Sequence, residues 1–365
     1  MKILYVFTVG GTGDFFISLI RRLKDSGHQV DIACSDTDRV NQCYRDWGCE
    51  IFELHCSRNP LDSNNRKAID EIREIVTANH YDIVHCHTPV AAFCTRVACK
   101  SLRKDGVKVF YTAHGFHFFK GAPKKYWAMF YPLERMCSKW TDLLITINHE
   151  DYERAKAKMK AEKTVYVPGV GVNVDRFRNA ECDRKKLREE LGVKEDDFLL
   201  LSVGELSDRK NHRIVIQACN LLFNEKIHYV IAGEGDKRDE LTELISGLNH
   251  PENIHLLGRR EDIPQLCKAA DCFILPSFQE GLPVALMEAM ASGLPALGAD
   301  IRGVNDLIGE DRRFDPRDDV GIAKLIDRMY SSPEWREQVV AEDALAITNY
   351  SEESINNMMM ELYEA

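Results

Sequence analysis

One stretch decides how this chain is interpreted: residues 276–295 read Pro-Ser-Phe-Gln-Glu-Gly-Leu-Pro-Val-Ala-Leu-Met-Glu-Ala-Met-Ala-Ser-Gly-Leu-Pro. A polar turn opens an alanine-rich apolar segment, which predicts a helix over 284–292 with Pro283 at its first helical position. Gly293 is the residue expected to end it. The first turn of such a helix directs unpaired backbone N–H groups outward, and these groups favour an anion.

Two carboxylates flank this turn. The amides of Gly281 and Leu282 are candidates for a phosphate, and Glu288 lies a turn and a half further on, where it could accept hydrogen bonds from a ribose diol. Glu280, just before the turn, could reach the group that the phosphate carries. Phosphate, ribose and attached group together describe a nucleotide-sugar donor site. The alternative is that Glu280 only offsets the helix dipole and that Glu288 is solvated.

Strand and helix patterns alternate along all 365 residues. This alternation predicts an α/β fold with two doubly wound parallel sheets, in domains 1–170 and 175–348, joined through a glycine-containing hinge near Gly169 and Gly171. Ligands of such sheets bind beyond the carboxyl ends of the strands. The predicted strands are 3–7, 30–34, 51–54, 83–86, 107–112, 143–147 and 164–167, then 198–203, 228–232, 254–257, 272–275 and 295–297.

The composition favours a cytoplasmic protein. No apolar run approaches a membrane span, and twelve scattered cysteines without a repeated C-x-x-C fit reduced, mostly buried thiols. Residues 1–172 hold 25 Lys and Arg against 20 Asp and Glu, whereas 173–365 hold 23 against 38. Ten basic and two acidic residues lie between Arg96 and Lys139. Because no nucleic-acid motif accompanies this patch, it favours an anionic membrane surface as the partner.

The 276–295 string resembles the Glu-x7-Glu signature of retaining glycosyltransferases of family 4, which have the GT-B fold. The resemblance extends over the whole chain. It implies two Rossmann-like domains that face each other across a cleft, with a C-terminal helix, 351–365, that crosses back onto the first domain. Strings such as Thr-Ala-His-Gly-Phe-His-Phe at 112–118 look most like bacterial enzymes that build capsule, exopolysaccharide or O-antigen units on undecaprenyl diphosphate.

A second loop supports a phosphate site. The segment 202–212 follows a predicted strand and contains Gly204, Arg209 and Lys210. Glycine lets the backbone approach a ligand, and the two cations suit a diphosphate. A solvated loop with surface cations is the alternative. The usual family pattern has an arginine where this chain has Glu205, so Arg209 is the candidate replacement.

Two further loops complete the donor site that the resemblance implies. Gly233 and Gly235 form a strand-to-helix turn that would line the nucleotide pocket, although a tight turn alone also explains them. The base would lie near Arg259, held through backbone groups. The identity of the base is therefore poorly encoded by side chains. UDP is the default expectation, with GDP and ADP left open. In the first domain, Gly10 and Gly11 match the loop that approaches the donor phosphates.

That first loop also has a dinucleotide interpretation. Gly11 and Gly13 follow a strand, and Asp36 after the next strand could be a ribose acid. Phe16 stands where close helix–strand packing requires a small residue, so an NAD dehydrogenase is disfavoured.

His114 follows a predicted strand, where ligand-binding residues concentrate, although a buried, hydrogen-bonded histidine is the usual alternative. The resemblance places it beside the donor sugar. His117 could face the acceptor, and Phe118 with its neighbours is either core or an apolar lip for a lipid. The helix predicted over 124–140 has an apolar stripe, for which a core-facing role is favoured over an interfacial one. Its members are Tyr126, Met129, Phe130, Leu133, Met136, Cys137 and Trp140. In the interfacial alternative, Lys124, Lys125 and Trp127 would contact the acceptor or the membrane.

His85-Cys86-His87 has the composition of a metal cluster, but no carboxylate is spaced to complete it, so it is interpreted as structural. The site is expected to work without metal or cofactor. The resulting expectation is an enzyme that transfers a hexose-type sugar (Glc, GlcNAc, GalNAc or GlcA) from a UDP-sugar to a lipid-diphosphate-linked saccharide, peripherally on the inner face of the cell membrane. A UDP-sugar epimerase and a non-catalytic sugar-nucleotide binder of the same fold remain alternatives.

Overall fold

A computed structural model describes residues 1–365 and separates into two compact units. The first unit contains residues 1–170 and 355–365, and the second contains 171–354. The division after Val170 coincides with the glycine-containing segment that the sequence analysis placed between domains. The second unit extends a few residues beyond the predicted 175–348 at both ends.

The first unit is a seven-stranded parallel sheet in the order β3-β2-β1-β4-β5-β6-β7. Its strands are β1 (Lys2–Val9), β2 (Gln29–Ser35), β3 (Ile51–Glu53), β4 (Ile83–His87), β5 (Lys108–Ala113), β6 (Leu143–Thr146) and β7 (Lys163–Tyr166). Its helices are α1 (Ile17–Asp25), α2 (Gln42–Asp46), α3 (Asn64–Asn79), α4 (Pro89–Ala98), α5 (Lys124–Cys137) and α6 (His149–Lys158), with 3-10 turns at Gly10–Phe16, Thr37–Arg39, Leu102–Asp105 and Ser138–Trp140.

The second unit is a six-stranded parallel sheet in the order β10-β9-β8-β11-β12-β13. Its strands are β8 (Phe198–Val203), β9 (Ile227–Ala232), β10 (Ile254–Gly258), β11 (Cys272–Leu275), β12 (Ala296–Ala299) and β13 (Arg313–Phe314). Its helices are α7 (Val174–Arg178), α8 (Arg184–Glu190), α9 (His212–Leu222), α10 (Arg238–Ser246), α11 (Ile263–Ala269), α12 (Val284–Ala291), α13 (Asp319–Ser331) and α14 (Pro333–Ala346), with 3-10 turns at Pro251–Asn253, Glu310–Arg312 and Ile347–Tyr350.

The last helix, α15 (Glu352–Glu364), begins next to Ser351, whose hydroxyl accepts a hydrogen bond from the N–H of Ser354 at 3.2 Å. From Ile355 onward the helix belongs to the first unit. There, Ile355, Met359 and Tyr363 are buried in the same apolar cluster as strand β1. Spacings of four residues put these side chains on one helix face, so α15 closes one side of the first sheet.

Helices cover both faces of each sheet, so nearly every residue of the central strands is buried. This burial explains why the strands are continuous apolar runs rather than alternating ones. The sequence prediction differed at several ends. It missed the two-residue β13, it extended the 284–292 helix by one residue, and it took Ser138–Trp140 as α-helix. No helix of the structure has the length and apolarity that crossing a membrane requires.

Pro283 is a correction to the predicted helix start. Its ψ of 109° is extended rather than helical, so it is the residue before the first turn and α12 begins at Val284. Gly293 ends the helix with a φ of +74°, as expected for a glycine in the left-handed region.

Candidate donor site and the histidine cluster

In each sheet the strand order reverses at one point. Polar and charged side chains that could bind a ligand lie at the carboxyl ends of the strands there. In the second unit, β8 leads outward to β9, whereas β11 returns to the other side of β8. The loops after β8 and β11 therefore lie next to each other at the carboxyl edge. Open parallel sheets bind their ligands at this topological switch point.

Lys210, from the loop after β8, meets Glu280, from the loop after β11. The Lys210 Nζ lies 2.8 Å from a Glu280 carboxylate oxygen, and both side chains are largely buried. Arg209 approaches the same oxygen at 3.3 Å and donates to the Gln279 carbonyl at 3.2 Å, but its side chain is 44% exposed. The sequence analysis gave these three residues separate contacts with a ligand, and the structure joins them in one cluster with Arg209 at its open side.

Asn211 holds this cluster in place and was missed by sequence reasoning. Its backbone is left-handed at φ 56°, a conformation that asparagine tolerates better than most residues. Its buried amide donates to the carbonyls of Pro276 and Pro316 at 3.1 and 2.8 Å. The loop that carries Lys210 is therefore fixed to the loop that carries Glu280. The sequence signal that could have identified this role is the asparagine directly after Arg209 and Lys210.

The Gly-Leu-Pro turn is supported from behind by residues 302–303. The Arg302 Nε donates to the Glu280 carbonyl at 3.1 Å. Gly303 has a φ of +77°, and a Cβ at this position would lie 2.2 Å from the Gly281 carbonyl oxygen. Only glycine fits this approach. Residues 302–303 therefore fix the turn whose amides, at Gly281 and Leu282, are the predicted phosphate contacts.

Glu288 lies on α12, and burial and the charge of Arg176, with no hydrogen bond from another group, act on its carboxylate. Burial raises the pKa of this carboxyl to about 7, although the positive charge of Arg176 works in the opposite direction. A half-buried carboxylate without a partner is costly unless a ligand supplies donors. The arrangement suits a neighbouring pair of hydroxyl groups.

The glycines of the nucleotide loops have a packing role. A Cβ on Gly233 would lie 1.8 Å from the Gly204 carbonyl oxygen, and one on Gly235 would lie 2.2 Å from the Leu206 carbonyl oxygen. The loops after β8 and β9 therefore touch through their backbones. Gly204 itself lies against the Lys210 side chain. Arg259, next to the end of β10, is exposed.

In the first unit the strand order reverses between β1 and β4. The Thr8 and Thr88 hydroxyls lie 2.7 Å apart here, and Thr88 has a φ of +61°, which is unusual for a β-branched residue. Gly10 is required for packing, since a Cβ there would lie 2.6 Å from the Asp36 carbonyl oxygen, whereas Gly11 faces open space. The two glycines predicted to act together therefore have different environments.

Three histidines lie together beyond this point. His87 Nδ1 is 3.1 Å from His114 Nε2, and the rings of His85 and His87 are 4.2 Å apart. Burial lowers the pKa of His85 to about 3 and of His114 to about 4, and it lowers the pKa of His87 well below its ordinary value. All three rings are therefore neutral at pH 7, and the cluster carries no charge.

Because each of these histidine rings is neutral, it carries one ring proton, and the hydrogen bonds indicate which nitrogen holds it. His87 Nε2 is buried without a partner, and leaving an acceptor unpaired costs less than burying an unpaired N–H. His87 therefore donates through Nδ1 to His114 Nε2, and His114 carries its own proton on Nδ1. His114 is only partly buried, so this N–H is suited to donate to a ligand hydroxyl.

The C-terminal helix supports the same cluster. The Tyr363 hydroxyl lies 2.5 Å from both His85 Nδ1 and the Tyr5 hydroxyl, and His85 Nε2 lies 2.8 Å from the Thr112 hydroxyl. This network uses both His85 nitrogens within the protein. It gives His85 a structural role. No group of three or more His, Cys, Asp or Glu side chains in the structure is arranged to hold a metal ion.

Two residues predicted for an acceptor or membrane surface are placed differently. Phe118 is fully buried, and it stacks on Phe116 with ring centroids 4.7 Å apart. Trp127 packs against Phe118 and donates its indole N–H to the Phe119 carbonyl at 3.3 Å. Both side chains are part of the domain core because α5 is turned with this face inward. Of the two alternatives for Phe118, core or apolar lip, the structure shows the core, so its placement among the acceptor or membrane residues is corrected.

The rest of that surface is accessible. Lys124 and Lys125 are exposed and form no ion pair, while the partly buried His117 stacks on Phe130 at 4.4 Å. The favoured interpretation of the α5 stripe as core-facing is wrong for three of its members, because Met129, Leu133 and Met136 are 38–45% exposed.

Comparison with known families gives two matches. Residues 9–176 match the model described as Glycosyltransferase Family 4, and residues 183–344 match the one described as Glycosyl transferases group 1. The first match lies mostly in the first unit and ends at residue 176, and the second lies within the second unit.

Relatives with names are similar over most of the chain. EpsD of Bacillus subtilis, which is named only provisionally as a glycosyltransferase, is 35% identical over 373 residues, covering 100% of this chain and 96% of EpsD. The UDP-Gal:alpha-D-GlcNAc-diphosphoundecaprenol alpha-1,3-galactosyltransferase of Escherichia coli is 29% identical over 295 residues, covering 78% of this chain and 75% of its own.

Solved structures share the fold. Anabaena HepE, determined in complex with UDP and glucose, superposes with a TM-score of 0.81 at 20% identity, with both chains covered completely. WaaG, a glycosyltransferase involved in lipopolysaccharide biosynthesis, superposes with a TM-score of 0.74 at 16% identity, with 99% of both chains covered. The architecture is GT-B, with one Rossmann-like sheet in each unit.

Proposed function

Because this chain belongs to glycosyltransferase family 4, we propose that it is a retaining enzyme that moves a hexose-type sugar from a UDP-sugar to a saccharide on a lipid diphosphate. The sugar would be Glc, GlcNAc, GalNAc or GlcA. The observation that carries the proposal is the Lys210–Glu280 pair at the switch point of the second sheet. A fixed cation beside a helix-opening turn suits a leaving diphosphate.

The donor would be held by residues of the second unit. Lys210, Arg209 and the amides of Gly281 and Leu282 would stabilise the diphosphate as negative charge develops on it. The Glu288 carboxylate would accept from the ribose hydroxyls. Glu280 would orient sugar hydroxyls, and its bond to Lys210 fixes the side chain for that role.

In the transfer step, the bond between the anomeric carbon and the phosphate oxygen breaks while a bond to the acceptor oxygen forms on the same face. The departing phosphate takes the acceptor's proton. The two carboxylates of this site have binding roles in the proposal, so no glycosyl-enzyme intermediate is invoked. The neutral His114 would donate its Nδ1–H to a sugar hydroxyl, which holds the sugar without placing a positive charge beside it.

The acceptor part of the proposal rests on relatives. The Escherichia coli relative is named for a diphosphoundecaprenol-linked acceptor, and WaaG is described by its part in lipopolysaccharide biosynthesis. Surface polysaccharide synthesis at the inner face of the cell membrane is the matching setting. Lys124 and Lys125, exposed and without ion pairs, would then contact anionic lipid.

Metal independence is also a proposal. Lys210 and Arg209 supply the positive charge that a divalent cation would otherwise provide near a diphosphate. Transfer measured with excess EDTA should match transfer with Mg²⁺ within twofold. A loss of activity that Mg²⁺ restores would contradict this part alone.

The first test is calorimetric titration with UDP, GDP, ADP and NAD. We expect micromolar UDP binding that Glu288→Ala weakens by about 1–3 kcal/mol, the scale of a lost hydrogen bond to a charged group. Arg259→Ala is the comparison variant, because binding of the base through backbone groups predicts little change. NAD binding without UDP binding would overturn the proposal.

Turnover separates the remaining alternatives. A panel of UDP-sugars with a polyprenyl-diphosphate-linked sugar should give a product one sugar heavier by mass spectrometry. Conversion of UDP-GlcNAc to another UDP-sugar without acceptor would indicate an epimerase. Donor binding with no turnover on any acceptor would indicate a sugar-nucleotide binder.

A further inference from the structure

The outward face of α5 forms one wall of an apolar groove through Met129, Phe130 and Leu133, and Met136 extends the exposed stripe beyond the groove. Met129, Leu133 and Met136 follow one another at spacings of four and three residues, which puts them on a single helix face. They are 45%, 40% and 38% exposed. The opposite face of the same helix, with Trp127 and Tyr131, packs on the domain core. The packing of the domain core therefore does not use the exposed stripe.

A second wall faces this stripe. Leu61, at 85% exposure, and Pro60 come from the loop before α3, and Pro89, Val90 and Phe93 come from α4. Between the walls is a cavity of about 150 Å³. An apolar cavity of about this volume accommodates a benzene molecule in an engineered protein. The groove thus has room for roughly one branched five-carbon unit at a time.

The groove has one charged pair at its base, and that pair is internally neutralised. Arg96 donates to both carboxylate oxygens of Glu134 at 2.8 and 3.1 Å, and its guanidinium lies 4.2 Å from the Tyr111 ring centroid. A bidentate pair of this kind offers no net charge to a ligand. The groove proper therefore selects for hydrocarbon.

Uncompensated positive charge begins one helical turn away. Lys125 precedes Met129 by four residues, on the same face, and neither Lys125 nor Lys124 forms an ion pair. Arg135 and Lys139 are likewise exposed and unpaired near the other end of the helix. Hydrocarbon flanked by cations is complementary to a lipid with an anionic head. Contiguous exposed apolar surface of this kind marks an interaction site.

We propose that this groove binds the isoprenoid chain of the lipid-linked acceptor, with the acceptor's diphosphate near Lys124 and Lys125. The proposal rests on the proposed function for the choice of lipid, since the diphosphoundecaprenol in one relative's name is such a lipid. It adds the location at which the chain is held. The groove binds the chain itself, rather than acting only as a flat contact with the bilayer.

The test measures binding of farnesyl diphosphate by calorimetry in the presence of saturating UDP, which occupies the diphosphate site of the second unit. Inorganic diphosphate is the chainless comparison. We expect farnesyl diphosphate to bind at least tenfold more tightly than inorganic diphosphate. The double variant Met129→Gln/Leu133→Gln should remove that advantage while leaving UDP affinity unchanged.

Met358→Gln is the matched control, because Met358 is also 38% exposed but lies on α15, outside the groove. It should bind farnesyl diphosphate like the unaltered chain. Equal farnesyl diphosphate affinity in the double variant and the control would overturn the proposal. A second outcome would also overturn it: a double variant that no longer binds vesicles of phosphatidylglycerol but still prefers farnesyl diphosphate over inorganic diphosphate. The stripe would then contact only the bilayer. Failure of UDP binding in the unaltered chain would instead sink the proposed function.

Discussion

At its switch point the second unit gathers charged side chains, whereas the first unit gathers neutral rings at the corresponding place. Lys210, Arg209 and Glu280 meet beyond β8 and β11. His87 and His114 meet beyond β4 and β5 with their pKa values lowered by burial. The same sheet architecture therefore presents two kinds of chemistry.

In the proposed function, the charged residues of the second unit bind the diphosphate and the neutral His114 binds a sugar hydroxyl. A diphosphate changes its charge during transfer and needs fixed cations, whereas sugar hydroxyls need only hydrogen bonds. Fold alone therefore does not assign a role to a switch point. The residues placed on it do.

The largest expected effect is on the charged side. Lys210→Met should lower kcat/KM for transfer by about 10³-fold, because it removes a preorganised cation from the leaving diphosphate and leaves the Glu280 carboxylate without its closest partner. Steady-state kinetics with UDP-sugar and acceptor measure this.

Lys237→Met is the matched control. The Lys237 Nζ also pairs with carboxylates, lying 3.0 Å from both Asp208 and Glu240, but outside the cluster. It should change kcat/KM less than twofold. Comparable losses in the two lysine variants would show that the Lys210–Glu280 pair has no special role.

The neutral side should give a smaller effect. His114→Ala should reduce kcat/KM by about 10²-fold, the scale of one lost transition-state hydrogen bond. UDP affinity should not change, because UDP lacks the transferred sugar that His114 would contact. The partly buried His250, in the second unit, whose imidazole lies near the exposed Glu252, provides the control His250→Ala. A His114→Ala variant that loses UDP affinity to the same extent as activity would contradict a contact with the sugar.

Sequence reasoning located the loops correctly because glycine, proline and charged residues there are tied to strand ends. The Lys210 and Glu280 loops follow two of the clearest apolar strands, 198–203 and 272–275, and both strand ranges agree with the structure. The sequence could not show that these two side chains bond each other. That contact depends on β11 pairing with β8 across 72 residues.

The α5 helix shows the opposite outcome. The stripe predicted from the sequence lies on one side of the helix, but Trp127 and Tyr131 make another side apolar as well, so periodicity could not decide which side faces the core. The structure turns Trp127 inward and Met129 outward. The positive φ of Thr88 could not be predicted from the sequence either, because the fold imposes this strain. The hydrogen bond between Tyr363 and His85 could not be predicted because it joins residues 278 apart.

An intermediate effect comes from pH. Glu288, with a pKa raised to about 7, is mostly protonated at pH 6 and mostly ionised at pH 8. Ribose hydroxyls bind the ionised form better, so UDP-glucose, whose diphosphate does not titrate in this range, should bind about tenfold more weakly at pH 6 than at pH 8. Glu288→Gln should be flat over this range.

The stability of the protein should respond in the opposite sense. A carboxyl whose folded pKa is raised binds its proton more tightly in the folded state. Its cost to stability is therefore absent below the unfolded pKa near 4.5 and is complete above pH 7. A UDP-glucose affinity that rose as the pH fell would contradict a ribose contact through the carboxylate. His114, whose pKa is near 4, should add no pH dependence between pH 6 and 8.

The smallest effect tests how far the neutral side depends on the C-terminal helix. Tyr363→Phe removes the hydroxyl between His85 and Tyr5 and should lower the free energy of unfolding by about 1–2 kcal/mol, because two buried polar atoms lose a partner. Chemical denaturation measures this, with Tyr152→Phe as a control whose hydroxyl has no partner in the structure. UDP affinity should not change, because the nucleotide residues lie in the second unit. Because the Tyr363 hydroxyl holds His85, whose ring lies 4.2 Å from the tilted ring of His87, kcat should fall severalfold while UDP affinity stays constant. Loss of UDP binding in Tyr363→Phe would break the comparison, since the charged and neutral sites would then not be separable.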